Sequence, residues 1–133
     1  YQMNINFSYE GVNLDINLKD RICFFIGNSG IGKTFLFTAI SSYCEINDIP
    51  FCSFNSLSKV AVRDFNLNTV DLVIMDNADL YMNRELYLRV RESKAVVLIC
   101  MKAYCGFDPG NSGEYRIDFD KVSETLRVKR VGV

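Results

Sequence analysis

The chain has 133 residues, 49% of them hydrophobic, with no low-complexity tract, so a disordered chain is excluded and one folded domain spanning 1–133 is expected. A formal net charge of −1 excludes a general pull toward nucleic acid, which would need a local patch, and the apolar runs are only strand length, too short to span a bilayer. Five cysteines, Cys23, Cys44, Cys52, Cys100 and Cys105, include no C-x-x-C pair and there is no histidine, which argues against zinc and for reduced thiols in a cytoplasmic protein.

Taken in order, Met3, Ile5, Phe7 and Tyr9 alternate with Asn4, Asn6 and Ser8; after Glu10-Gly11, Val12, Leu14, Ile16 and Leu18 alternate with polar residues. This period of two about a glycine turn predicts a half-buried β-hairpin. Lys19-Asp20-Arg21 then leads into Ile22-Cys23-Phe24-Phe25-Ile26, an unbroken apolar run of the kind a central parallel strand shows when both faces are covered. Next comes Gly27-Asn28-Ser29-Gly30-Ile31-Gly32-Lys33-Thr34, which satisfies G-x-x-x-x-G-K-[ST] at every fixed position. Leu36, Ala39, Ile40 and Tyr43 follow at helical spacing, so strand, glycine-rich segment and helix occur in the order a phosphate-binding loop requires.

Asn47-Asp48 and Pro50 end that helix, and residues 49–54 read as a strand. Within 56–68, Leu57, Val60, Ala61 and Phe65 would form one face of a short helix. Residues 70–75 form the next apolar run, which closes on Asp76. Asn83 is expected to cap a helix that buries Leu86, Tyr87 and Val90 and pairs Glu85 with Arg89 on its outer side. A buried strand is predicted over 95–100, with Lys102 just beyond it, as a solvated loop lysine or as a sensor of a terminal phosphate. Residues 106–113 read as a loop, then Tyr115, Ile117 and Phe119 alternate and Leu126 and Val128 sit in a closing strand. The basic residues Arg127, Lys129 and Arg130 read as a solvated strand face rather than a nucleic-acid site.

The chemistry implied by the 27–34 segment is specific. Glycines let successive N–H groups curl inward as an anion nest, and a helix N-terminus adds its positive end. Lys33 would supply a point charge on the outer phosphates, and the Thr34 hydroxyl together with the Asp76 carboxylate would serve Mg²⁺.

On these motifs the chain resembles P-loop NTPases. The resemblance implies an α/β fold, a three-layer arrangement with a mainly parallel sheet of about five strands and antiparallel hairpins at both ends, binding ATP with Mg²⁺. A strand between the glycine-rich segment and Asp76 resembles the additional-strand division, which holds ATPases of the cassette, AAA and RecA kinds, and no N-K-x-D guanine motif is present. The N-terminal hairpin is similar to the start of ATP-binding-cassette ATPases, in which an aromatic residue stacks on adenine. Tyr9 falls at that position, where it would either stack on the base or pack with Phe7 and Ile5. The L-S-G-G-Q signature of those ATPases is absent. The resemblance further implies a glutamate after Asp76 to polarise water, but Asn77 stands there, with Asp79 two residues on as a substitute. The expected activity is therefore that of a slow or partner-activated ATPase, acting as a homo-oligomer or with a protein partner. The alternatives are a nucleotide-binding regulatory module and, less favoured because no Arg-rich lid is visible, a small-molecule or nucleotide kinase.

Overall fold

In the computed structural model the described residues are 2–27, 32–57, 59–103 and 112–131. In chain order the elements are β1 (Met3–Tyr9), β2 (Val12–Leu18), β3 (Ile22–Ile26), α1 (Lys33–Ile46), β4 (Phe51–Phe54), α2 (Lys59–Asp64), β5 (Leu72–Met75), α3 (Arg84–Glu92), β6 (Val96–Met101), β7 (Ser112–Asp120) and β8 (Thr125–Arg130). The strands form one sheet in the order β1-β2-β8-β7-β3-β6-β5-β4. β1 with β2 and β7 with β8 are antiparallel; every other neighbouring pair is parallel. This is an α/β domain with a mainly parallel sheet flanked by antiparallel hairpins, an architecture consistent in general terms with P-loop-like folds. The two hairpins, formed by opposite ends of the chain, lie side by side and are joined by the parallel pair β2–β8.

Alternation of apolar side chains explains the layering. Cys23 and Phe25 of β3, Leu72 and Ile74 of β5, and Leu98 and Cys100 of β6 face one core, roofed by Leu36, Phe37, Ile40 and Cys44 of α1. Their neighbours Ile22, Phe24, Val73, Met75, Val97 and Ile99 face a second core, closed by Val62 of α2 and Leu86, Tyr87 and Val90 of α3. Strands buried on both faces need no polar alternation, which is why β3, β5 and β6 read as continuous apolar runs.

The hairpins differ. Ile5, Leu14, Ile16, Leu18, Tyr115, Leu126 and Val128 all join the α1 core, while Asn4, Asn6, Ser8, Asn13 and Arg127 are exposed. With one apolar face to bury, this half wraps around α1, and the sheet curls into a half-barrel, so the three-layer arrangement expected from sequence holds only where helices cover both faces, over β3, β5 and β6. Other expectations are also revised. The helix over 59–64 turns Val62 inward, followed by Leu67, whereas Leu57 is exposed. Ile49 donates its N–H to the Cys44 carbonyl at 2.9 Å, so it finishes the α1 turn and β4 begins only at Phe51. Ser112 and Gly113 pair with Ile22 and Cys23 as strand rather than loop, and residues 104–111 lie outside the described set. The Asn83 side chain does cap α3, accepting from the Leu86 N–H at 2.8 Å. Arg89 turns to the carbonyls of Val62, Arg63 and Phe65, stapling the end of α2 to α3.

The basic strand face is ion-paired: Arg127 with Asp15 at 3.3 Å, Lys129 with Asp118 at 3.2 Å and Arg130 with Asp20 at 2.8 Å. Asp20 also accepts from the Tyr115 hydroxyl at 2.7 Å, and that oxygen in turn accepts from the Lys19 N–H at 2.9 Å. Partial burial acts to raise the Asp20 carboxyl, but hydrogen bonds from Arg130 and Tyr115 and the charge of Arg130 hold it below its ordinary value. Burial, then the bond to Asp20, pushes the Tyr115 phenol up to about 12. A carboxyl depressed in the folded state stabilises the fold above its unfolded value of about 3.9, and loses that contribution as pH falls through the folded value. Thermal melts between pH 6 and pH 3 should therefore show the stability advantage of wild type over Asp20→Asn shrinking below about pH 4; a pH-independent difference would contradict the linkage.

Gly113 lies directly behind this cluster, since a Cβ there would come within 2.2 Å of an Asp20 carboxylate oxygen and 2.8 Å of Arg130 Nε. Gly113→Ala should cost about 1–3 kcal/mol as an overpacking change, visible in denaturant unfolding as a lower midpoint at unchanged slope.

Candidate functional site

The parallel strands deliver their carboxyl ends to one rim. Ile26 pairs with Met101, and Met75 with Ile99, so Gly27, Asp76 and Lys102 leave the sheet on neighbouring strands. They line one cleft: Gly27, Lys33 and Thr34 on one side, Asp76, Asn77 and Asp79 on the other, with Cys100 and Lys102 between. Open α/β sheets bind ligands in this position, outside the carboxyl ends of the strands where neighbouring connections diverge.

Backbone geometry shapes the glycine-rich side. Gly27 has φ +127° and Gly32 φ +79°, a region that disfavours side chains. Gly27 donates its N–H to the Met101 carbonyl at 3.0 Å, extending the β3–β6 ladder by one bond. Gly32 starts α1, its carbonyl accepting from the Leu36 N–H at 2.9 Å. Of the motif, Gly27, Gly32, Lys33 and Thr34 are described; Asn28, Ser29, Gly30 and Ile31 lie outside the described residues. Lys33 is only 6% exposed, and its ammonium donates to the Gly27 carbonyl at 2.7 Å, which compensates burial of the charge. Thr34 is exposed at the start of α1.

The opposite side is held by its own bonds. Asp76 receives the Asn77 N–H at 2.9 Å on its carboxylate, while its carbonyl accepts from the Tyr81 hydroxyl at 2.7 Å. Burial, reinforced by the Asp76 charge, pushes the Tyr81 phenol well above its ordinary value. Asn77 adopts φ +52°, turning the chain directly after the strand into the 3-10 turn Ala78–Leu80. Both carboxylate oxygens of Asp79 lie 2.9 Å from the Lys102 N–H. Asp79 therefore fixes the exit of β6 at the lip of the cleft, and its carboxylate is already engaged.

No motif or spacing marks Cys100 or Tyr81 as members of this region. Cys100 lines the cleft with Asp76; burial raises its thiol pKa, the Lys33 charge opposes, and the Asp76 charge adds to the rise. Counting strand ends is the signal that finds it, because Cys100 stands opposite Asp76 once β5 and β6 are in register. Burial also pushes Cys44 and Cys52 up to about 11, so these thiols are poor nucleophiles. Cys105 lies outside the described residues.

Tyr9 packs within an aromatic row, stacked on Phe7 at 6.2 Å and edge-on to Phe35 of α1 at 5.6 Å. It stands apart from the Asp76 side of the cleft, at the turn end of the first hairpin.

Among the described residues, no group of three or more Cys, Asp or Glu side chains gathers as a metal site, and no helix is long and apolar enough to cross a membrane. The chain matches no protein-family model and no curated protein.

The left-handed backbone at Asn77 gives a direct check on this geometry. The residue is exposed, so substitution alters little packing. Asn77→Gly should leave the melting temperature unchanged or slightly raised, whereas Asn77→Val should lower stability by about 1–2 kcal/mol. Equal melting temperatures for the two variants would contradict the assigned conformation.

Proposed function

We propose that the chain is a nucleotide-binding domain of the P-loop NTPase kind, in its additional-strand division, that binds Mg-ATP at the 27–34 segment. The observation that carries this reading is the shared cleft: both described ends of a complete G-x-x-x-x-G-K-T motif line it together with the aspartate that closes β5, the parallel strand next but one to β3. Lys33 would exchange its bond to the Gly27 carbonyl for one to phosphate. The first turn of α1 would direct its free N–H groups at the same anion.

The residues also fit a magnesium ion. Mg²⁺ keeps several waters and takes one or two protein oxygens besides phosphate, so a three-carboxylate cluster is not required. The Thr34 hydroxyl and Asp76 carboxylate are hard oxygen donors lining the same cleft, and they would hold it. When bound, the ion neutralises charge on the phosphate oxygens. Tyr9 would contribute on the base side, acting with Phe35 against which it packs.

Two readings of the activity remain, a slow or partner-activated ATPase and a nucleotide-binding module with little hydrolysis. Asn77 favours slow chemistry, because an amide cannot accept a proton from the attacking water. Asp79 would have to leave the Lys102 N–H to do so. General-base catalysis typically supplies about 10²–10⁴-fold, or about 3–5 kcal/mol of barrier.

Binding is tested by thermal shift. At Mg-ATP near one hundred times Kd the native state gains about 2.7 kcal/mol, several degrees for a chain of this length. Lys33→Ala should fold and lose that gain; an unshifted wild-type melt in millimolar Mg-ATP, Mg-ADP and Mg-GTP would remove the proposal. Hydrolysis is tested by single-turnover measurement, in which Asn77→Glu should exceed wild type by one order of magnitude or more. Rapid wild-type turnover unaffected by Asp79→Ala would show that neither residue limits the reaction.

A further inference from the structure

Among the described residues the sheet order begins at β1 and ends at β4, and these two edges differ. β4 has 4 residues and follows directly on Pro50, so little backbone is offered there to another chain. β1 has 7 residues, Met-Asn-Ile-Asn-Phe-Ser-Tyr. Each pairs with one residue of β2, from Met3 with Leu18 through Tyr9 with Val12, so no bulge interrupts the strand. It contains no charged residue and no proline, the devices that ordinarily blunt an edge.

Register settles which backbone groups this edge presents. Glu10 and Gly11 have φ +49° and +80°, the signature of a two-residue I′ turn, whose flanking residues Tyr9 and Val12 exchange hydrogen bonds. Bonded and non-bonded pairs alternate along an antiparallel ladder, so Tyr9, Phe7, Ile5 and Met3 bond inward to β2. Asn4, Asn6 and Ser8 therefore aim their N–H and C=O groups away from the sheet, and their side chains are exposed. On the opposite face Met3, Phe7 and Tyr9 pack against the α1 core yet stay only half-buried, because β1 has a neighbouring strand on one side alone. Phe7 meets Tyr9 at 6.2 Å and Tyr43 of α1 at 5.6 Å, an aromatic row held in place along the edge.

We infer that β1 is the contact of a two-fold dimer, in which the β1 strands of two copies pair antiparallel and one sheet runs through both. The strand is complementary to itself. A two-fold axis through Asn6 sets Asn6 opposite its own copy and Asn4 opposite Ser8, so every outward N–H and C=O finds a partner. On the exposed face amides then meet amide and hydroxyl. On the α1 face Ile5 stands opposite Phe7 and Met3 opposite Tyr9, pairs of the kind that stabilise sheets, and the half-buried rings gain cover. Because β1 is uncharged, no like charges oppose one another at the axis. A one-residue slip would turn the apolar face of one copy toward the polar face of the other.

The contact uses the same patch on both copies, so it closes at two and does not propagate into a fibre. A single strand pair falls at the small end of specific interfaces, below about 1,200 Å² in total, where association is weak; the dimer therefore forms at micromolar concentrations and above. It also stands apart from the nucleotide reading, since β2, β8 and β7 separate β1 from β3 and the cleft beyond it.

The experiment is sedimentation velocity on the full chain without nucleotide, from about 1 to 300 μM, a range that brackets weak association. Wild type should pass from monomer to dimer. Asn6→Lys puts two positive charges face to face at the axis and should raise the dissociation constant about tenfold or more. Its side chain is exposed, and a melting curve at the lowest concentration establishes that the variant is folded. Register is read by oxidative cross-linking. Asn6→Cys brings its thiol opposite its own copy, with Cα atoms about 5.5 Å apart, and should give a covalent dimer; Asn4→Cys, which faces Ser8, should not. Wild type that stays monomeric throughout would overturn the inference, as would a dimer indifferent to Asn6→Lys. Cross-linking of Asn4→Cys as readily as Asn6→Cys would overturn the two-fold at Asn6.

Discussion

Four consecutive residues of β3, Ile22, Cys23, Phe24 and Phe25, are buried, and they point alternately into two separate cores. A strand in that position requires helical cover on each face, which the sequence supplies with α1 on one and α2 with α3 on the other. Phe24 meets Tyr87 of α3 at 6.1 Å and Phe25 meets Phe37 of α1 at 5.6 Å, so the same short strand anchors both roofs. Crossover connections keep β3, β4, β5 and β6 parallel and send their carboxyl ends to one rim. The meeting of Gly27, Asp76 and Lys102 is a result of that packing constraint.

The rim is then divided by β3 itself. On its β6 side the strands end in charged and polar residues held by short backbone bonds: Asn77 to Asp76, Tyr81 to the Asp76 carbonyl, Lys102 to Asp79. On its β7 side the sheet continues into the hairpins, whose single apolar face curls around α1 and whose rim is carbon-lined.

Much of the framework was legible because period and punctuation carry it. The N-terminal hairpin could be read from strict alternation about Glu10-Gly11, β3, β5 and β6 from continuous apolar runs, and the start of α3 from Asn83. What escaped was decided by partners distant in sequence. Nothing local says that β2 pairs in parallel with β8, or that Arg89 reaches the carbonyls of α2 instead of Glu85. Val62, not Leu57, turns inward because α2 must meet α3, a constraint invisible in the 56–68 segment. For the site, the motif and Asp76 were legible by spacing, while Cys100 and Tyr81 entered only through register and a side-chain bond to backbone. The carbon-lined part of the rim was unreadable because its lining comes from four separate elements.

The parallel junction of β2 with β8 also bears on the order in which the chain can fold. Asn13, Leu14 and Asp15 pair with Thr125, Leu126 and Arg127, more than one hundred residues later. A lone two-stranded hairpin is marginal in water, so β1 and β2 gain secure footing only when the last strand arrives. Closure over so long a loop is entropically costly and slow, and places this chain among folds ruled by non-local pairing. Until then the inner edge of β2 stands open as a template for the wrong strand. Asp15 lies on that edge, and a charge there discourages mispairing. In the finished sheet the same carboxylate meets Arg127 at 3.3 Å, so the guard of the open edge becomes part of its closure.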